Sequence, residues 1–230
     1  MTDFIKQVRI TLNEIGKSRG RDYTLIVHVP DSIQTSLMLG LDVEKWMSDE
    51  LVDIVIAGMG FNPYNMPIQN WKEIGSRYGI PIYTSLNTRP LFKLYRDTFR
   101  SSEAWVKYIR GVADWWWYCN VDGIYLFNLF THREFNTQPL DKEIVYKPLN
   151  EIGEVTSLKK KSKIYGVDSG PGMFAQASVA SELPAILDIN ERRIKLNTGF
   201  DVEDEDAVFV IHAWLNKDDK DEIVNFIGGG

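Results

Sequence analysis

The strongest constraint on this chain is a rhythm. Four apolar runs rich in β-branched residues read as strands: 23–30, 52–57, 80–86 and 123–129. They recur at roughly 30 to 40 residues, and the gaps carry helical periodicity, which is the βαβ signature. Val43, Trp46 and Met47 fill one gap, Ile68, Trp71 and Ile74 the next, and Trp105, Val106, Ile109, Val112 and Ala113 the third. A leading helix is marked by Phe4, Ile5, Val8, Leu12 and Ile15, with stop signals at Gly16 and Gly20. Ser32 and Asp42 suit N-cap positions, and Gly79 suits a helix stop. The strand runs are apolar on both faces, as parallel strands covered by helices are. No Gly-x-Gly-x-x-Gly follows the first strand, so a dinucleotide-binding sheet is not expected.

Beyond about Thr131 the texture changes. Short apolar runs at 164–167, 185–189 and 207–214 are separated by charged turns, and no long helical period is seen. This predicts a small all-β, sandwich-like module over residues 141–230. Lys159, Lys160 and Lys161 read as a solvated face or linker. The 230 residues carry 26 Lys and Arg against 32 Asp and Glu, a net charge of −6. That balance argues against a general nucleic-acid partner, which needs a basic face. No run approaches the roughly 20 apolar residues of a membrane helix, so no membrane partner is expected. The N-terminus shows no basic segment followed by an apolar one, so the chain as written reads as soluble and untargeted. Cys119 is the single cysteine, which excludes an intrachain disulfide. No His, Cys and carboxylate spacing suits a metal, and no cofactor is expected.

Two stretches, Gly40-Leu41-Asp42-Val43-Glu44-Lys45-Trp46-Met47 and Glu50-Leu51-Val52-Asp53-Ile54-Val55-Ile56-Ala57-Gly58, resemble a pattern from glycoside-hydrolase-like TIM-barrel proteins. Residues 80–83 resemble the seventh strand of that family, and residues 121–128 its eighth, which an appended β domain follows. The opening helix resembles the one after the family's fourth strand. The resemblance covers roughly residues 1–130. It implies an α/β fold in which residues 1–140 form the C-terminal half of a (β/α)8 TIM-type barrel, about four βα units, followed by the β module. A complete barrel takes about 250 residues, so the first half would precede Met1. A small open α/β sheet is the competing reading. Open barrel edges also suggest a homodimer in which two halves pair.

The resemblance further implies carbohydrate chemistry at the C-terminal ends of the strands, with two carboxylates as acid/base and nucleophile. The strand-four acid/base would lie before Met1, and Asn87 stands near the expected nucleophile position. Hydrolysis by this chain alone is therefore in question. A non-catalytic carbohydrate-binding or scaffold protein with a degenerate site is the alternative, and a small α/β domain unrelated to sugars is a third.

From the residues themselves, His28 lies near the end of the first strand. It suits a sugar hydroxyl or acid/base chemistry, against a structural bond to a neighbouring loop. Asp31 is the carboxylate directly after a strand end. It suits a general base, against helix capping beside Ser32. Asn62 and Tyr64 after the second strand suit stacking and amide bonding to a sugar, against an ordinary turn. Asn87 and Arg89 after the third strand, and Asn128 in the fourth run, complete the candidate substrate-binding set. Their bland counterparts are a surface ion pair for Arg89 and a strand-to-loop tie for Asn128. Trp115, Trp116 and Trp117 precede the fourth strand, at the end away from chemistry, and read as packing. Cys119 reads as a buried small residue.

Overall fold

The computed structural model describes residues 1–59, 66–86, 102–127, 142–167 and 192–200, and single positions at 183, 185, 186, 208, 210 and 211. The chain opens with α1 (Thr2–Arg19), which Gly20 ends in the left-handed region at φ 64°. β1 (Ile26–Val29), α2 (Ile33–Met38) and α3 (Val43–Ser48) follow, then β2 (Ile54–Ala57) and α4 (Ile68–Tyr78). Next come β3 (Ile82–Leu86), α5 (Ser102–Tyr118) and β4 (Gly123–Leu126). The local signals hold where a side chain or glycine sets the boundary. Ser32 Oγ accepts from the Thr35 N–H at 3.0 Å and Asp42 from the Lys45 N–H at 3.1 Å. Gly79 ends α4 at φ 69°.

The four strands form one parallel sheet in the order β1-β2-β3-β4. Successive right-handed crossovers in one direction put every connecting helix on the same face. Alternation along the strands sorts the side chains accordingly. Val29, Val55, Ala57, Ile82 and Leu86 face the helices and join a core with Trp46, Met47, Trp71, Trp105, Ile109, Val112, Trp115 and Trp116. The expected packing role of Trp115 and Trp116 is what the fold shows.

The opposite face carries His28, Ile56, Tyr83, Ser85 and Tyr125. At roughly 4.8 Å per strand, the edges of a flat four-stranded sheet lie about 14 Å apart. Yet the His28 ring on β1 meets Tyr125 on β4 at 5.1 Å between centroids, and Phe127 just beyond β4 at 5.7 Å. Even two rings laid flat toward each other would not span that gap, so the sheet curls and this face is concave. Gly123 is needed on it: a Cβ there would meet the Tyr83 ring at 2.7 Å.

The strand entrances are pinned by a repeated device. Asp53, before β2, accepts from the Leu25 N–H at 2.6 Å and pairs with Arg9 of α1 at 2.5 Å. Asp122, before β4, accepts from the Ile82 N–H at 2.8 Å and pairs with Lys72 of α4 at 2.5 Å. Each aspartate thus ties the start of its own strand, the start of the preceding strand and one helix.

Residues 142–158, read from sequence as the start of the β-rich module, are helical. α6 (Lys142–Tyr146), a 3-10 turn (Lys147–Asn150) and α7 (Val155–Leu158) pack across α5. Glu151 meets Arg110 of α5 through two bonds, at 2.6 and 3.0 Å, and takes Lys161 at 2.8 Å. Trp117 Nε1 donates to the Ile152 carbonyl at 2.8 Å. Arg110 and Lys161 together hold the Glu151 carboxyl at about pKa 2, below its ordinary 4.5. Lys161 therefore belongs to a structural ion pair. Among the described residues after Leu126 there is no strand, and of the three apolar runs read as β only 164–167 is described throughout. No described helix is long and apolar enough to cross a membrane.

Candidate functional site

The C-terminal ends of the strands are built differently from the entrances. β1 stops because Pro30 carries no N–H to continue a ladder. Its last carbonyls are taken by the turn after β2: Gly58 N–H donates to Val29 at 2.9 Å and to Pro30 at 3.2 Å, and Met59 N–H donates to Val29 at 2.6 Å. Gly58 sits at φ 106°, which favours glycine and lets the turn bend back over β1. The Asp31 carbonyl accepts from Trp71 Nε1 at 3.0 Å. The backbone that carries Asp31 is therefore held by α4 and by the β2 turn at once.

Its carboxyl group is not held in the same way. Asp31 is 3% exposed, and neither carboxyl oxygen has a well-formed hydrogen bond among the described residues. Burial raises its pKa from the ordinary 3.8, and the Thr35 hydroxyl and the N–H groups of Asp31 and Ser32 relieve that only in part. The capping reading does not describe Asp31, because Ser32 supplies the cap and the Ser32 and Thr35 hydroxyls lie 2.6 Å apart. A buried carboxyl with a raised pKa, fixed at the C-terminal end of a parallel strand, has the form of a general acid/base.

His28 lies on the concave face three residues earlier. The Gly58 backbone bonds its ring and opposes the effect of burial, which lowers its pKa below the ordinary 6.5. Burial therefore favours the neutral ring. Its Nε2 is buried and has no partner among the described residues. Ser85 on β3 is in the same condition: it is fully buried, and its Oγ has no partner among the described residues. Register puts Ser85 beside Tyr125, and Tyr125 touches His28.

Of the candidates read from sequence, the structure places Asp31 and His28 near one end of β1. Asn62, Tyr64, Asn87, Arg89 and Asn128 lie outside the described residues. Sequence reading passed over Ser85, Tyr83, Tyr125 and Phe127. The available signal was parity: once His28 is assigned to a face, register carries that face to the other three strands. Cys119 is half-buried, and burial pushes its thiol up to about 12, which disfavours the thiolate form. Among the described residues no cluster of His, Cys, Asp or Glu is arranged to hold a metal ion.

No known protein-family model matches the chain, and no curated protein matches it.

Proposed function

We propose that this chain is a glycoside-hydrolase-like, carbohydrate-active protein that takes a glycan at the C-terminal ends of its strands. In this reading the sheet is one half of a TIM-type barrel and its concave face is the barrel interior. Three features support the barrel reading: strictly sequential parallel order, helices on one face, and curl sufficient to bring His28 against Tyr125. The small sandwich-like β module read after the helical segment belongs to the same proposal.

One observation carries the functional reading: the buried, raised-pKa carboxyl of Asp31 at the end of β1. Burial that raises a carboxyl's pKa above its ordinary value is one way in which an acid/base carboxyl is tuned to protonate a glycosidic oxygen. Complete hydrolysis takes a second carboxylate. The alternative is a binding or scaffold protein in which Asp31 accepts hydroxyl hydrogen bonds and no bond is cleaved. Reducing-end release and binding, measured over a panel of soluble polysaccharides with the native chain and Asp31→Asn, separates the two. Release that disappears in Asp31→Asn supports the enzyme, and binding without release supports the binding protein. Neither binding nor release from any polymer overturns both.

The sheet edges add a proposal about assembly. Among the described residues β1 pairs with β2 alone and β4 with β3 alone. Two copies joined β4 to β1 at both seams give eight parallel strands and no free edge. Sedimentation of a dimer at micromolar concentration supports this pairing. A stable monomer with no exposed apolar surface sinks it.

A further inference from the structure

The buried indoles of the core fall into two kinds. Trp115 Nε1 and Trp116 Nε1 have no partner among the described residues, so this core tolerates a buried indole without a bond. Trp71, 1% exposed, is different: its Nε1 donates to the carbonyl of Asp31, 40 residues earlier, at 3.0 Å. The other holds on the exit of β1, from Gly58 and Met59, stop at the carbonyls of Val29 and Pro30. Among the described residues it is Trp71 that bonds the Asp31 carbonyl. Trp71 is itself firmly placed. One turn further along α4, Gly75 lies so close to the start of β3 that a Cβ would meet the Ile80 carbonyl at 2.7 Å, and the Ile82 side chain closer still. Lys72, the next residue, is held by Asp122 at the entrance of β4. The helix is thus seated at the strand entrances and reaches the exit of β1 through one indole.

We propose that Trp71 is a positioning residue for Asp31: its N–H fixes the Asp31 peptide, and so sets where the carboxyl stands in its buried site. The physical link is short. The carbonyl and the side chain leave the same Cα, so a peptide that cannot turn restricts the carboxyl to the few rotamers its backbone allows. Neither carboxyl oxygen has a well-formed bond among the described residues. The backbone, rather than partners of the side chain, therefore decides its place. The influences on its proton are burial, the Thr35 hydroxyl and the N–H groups of Asp31 and Ser32. No charged group is among them, and neither is His28, the titratable residue nearest in sequence. Once the peptide is released, the carboxyl can turn toward water or a donor, and its charged form becomes easier to hold. This rests on the reading of Asp31 as the functional carboxyl and deepens it, because it names the residue that holds that carboxyl in place.

The native chain tests this without a ligand. ¹⁵N indole spectra of the 7 tryptophans are followed from about pH 3 to pH 8, with the Asp31 carboxyl read by ¹³C. The expected result is that the Trp71 Nε1–H resonance titrates with the Asp31 midpoint, while those of Trp115 and Trp116 do not. In Asp31→Asn the Trp71 resonance no longer follows that midpoint. Trp71→Phe keeps a ring and removes the donor. The Asp31 midpoint then falls by about half a pH unit or more toward its ordinary 3.8. Trp115→Phe makes the same exchange at an indole without a partner among the described residues and leaves the midpoint unmoved. A lower unfolding temperature in Trp71→Phe with the Asp31 midpoint unmoved makes Trp71 merely structural and overturns the proposal. A Trp71 resonance indifferent to Asp31 in the native chain overturns it as well, whether or not Trp71→Phe folds. Polysaccharide release that disappears in Asp31→Asn, beside either of those results, leaves the glycan reading standing without the positioning role. Neither binding nor release, with Trp71 following Asp31, overturns the glycan reading and leaves the positioning role standing.

Discussion

The two ends of the sheet obey opposite rules. At the strand entrances, Asp53 and Asp122 each accept a backbone N–H of the neighbouring strand and a cation from a helix. At the strand exits, Asp31, His28 and Ser85 are buried with polar atoms that meet nothing suitable among the described residues. The same residue type is satisfied at one end and left in want at the other. Unsatisfied groups cost free energy. The indole nitrogens of Trp115 and Trp116 on α5, in the core, are also buried without a partner among the described residues, so what sets the exits apart is the buried carboxyl of Asp31. The difference teaches that the entrances hold the sheet together, while the exits carry the buried carboxyl on which the proposed function rests.

Substitutions can break or sharpen this contrast. The largest effect belongs to the entrances. Asp53→Ala removes the acceptor of Leu25 N–H and leaves Arg9, whose side chain is 13% exposed, without its carboxylate. A loss of about 2–3 kcal/mol is expected, read by urea unfolding. Asp122→Ala should cost a similar amount, and the two losses should add, since they share no partner. Strong non-additivity would mean that the clamps do not act as separate units. Next is Gly123→Ala, which sets a methyl group against the Tyr83 ring at 2.7 Å. About 2 kcal/mol of overpacking is expected, with Tyr83 fluorescence reporting the displaced ring.

At the exits the sign reverses. Asp31→Asn should raise stability at pH 7–8 by about 1–2 kcal/mol, because a carboxylate confined without adequate bonds is replaced by a neutral amide. The pH dependence checks the cause. Asp31 has a folded-state pKa above its ordinary 3.8, so the folded state takes up its proton before the unfolded state does. The native chain therefore loses stability through this group as pH rises from the ordinary carboxylate range through the raised value. The advantage of Asp31→Asn should vanish at pH 3–4 and be complete at neutral pH in thermal melts. An Asn variant less stable at every pH would assign Asp31 to the scaffold. The smallest effect is that of Ser32→Ala, about 1 kcal/mol for the lost cap, with no change in the titration of Asp31.

What was legible in the sequence follows the range of each signal. The four strands, the cap at Ser32, the cap at Asp42 and the stops at Gly20 and Gly79 rest on chemistry within a few residues, and they stand in the structure. The helices at 142–146 and 155–158 are too short to display a period, so a stretch of mixed polarity read as a β module. The concave face was invisible because these strands are apolar on both sides, and only register tells Ser85 from Thr84 in role. Asp31 illustrates the same limit. Beside Ser32 it has the composition of a cap, and only the fold shows which of the two residues supplies it.

Strand order also bears on how this chain acquires its structure. Each strand pairs with the next one in the chain, and Arg9–Asp53 and Lys72–Asp122 each lock one strand pair to its own helix. Among the described residues no strand pairing waits for a segment from the far end of the chain, which keeps the contact order of this sheet low for a parallel one. Assembly can thus proceed in the direction of synthesis, with the first strand pair clamped before the second has emerged. An emerging polypeptide would carry Asp31 into a buried position early, and every later strand would be added to a scaffold already shaped around it.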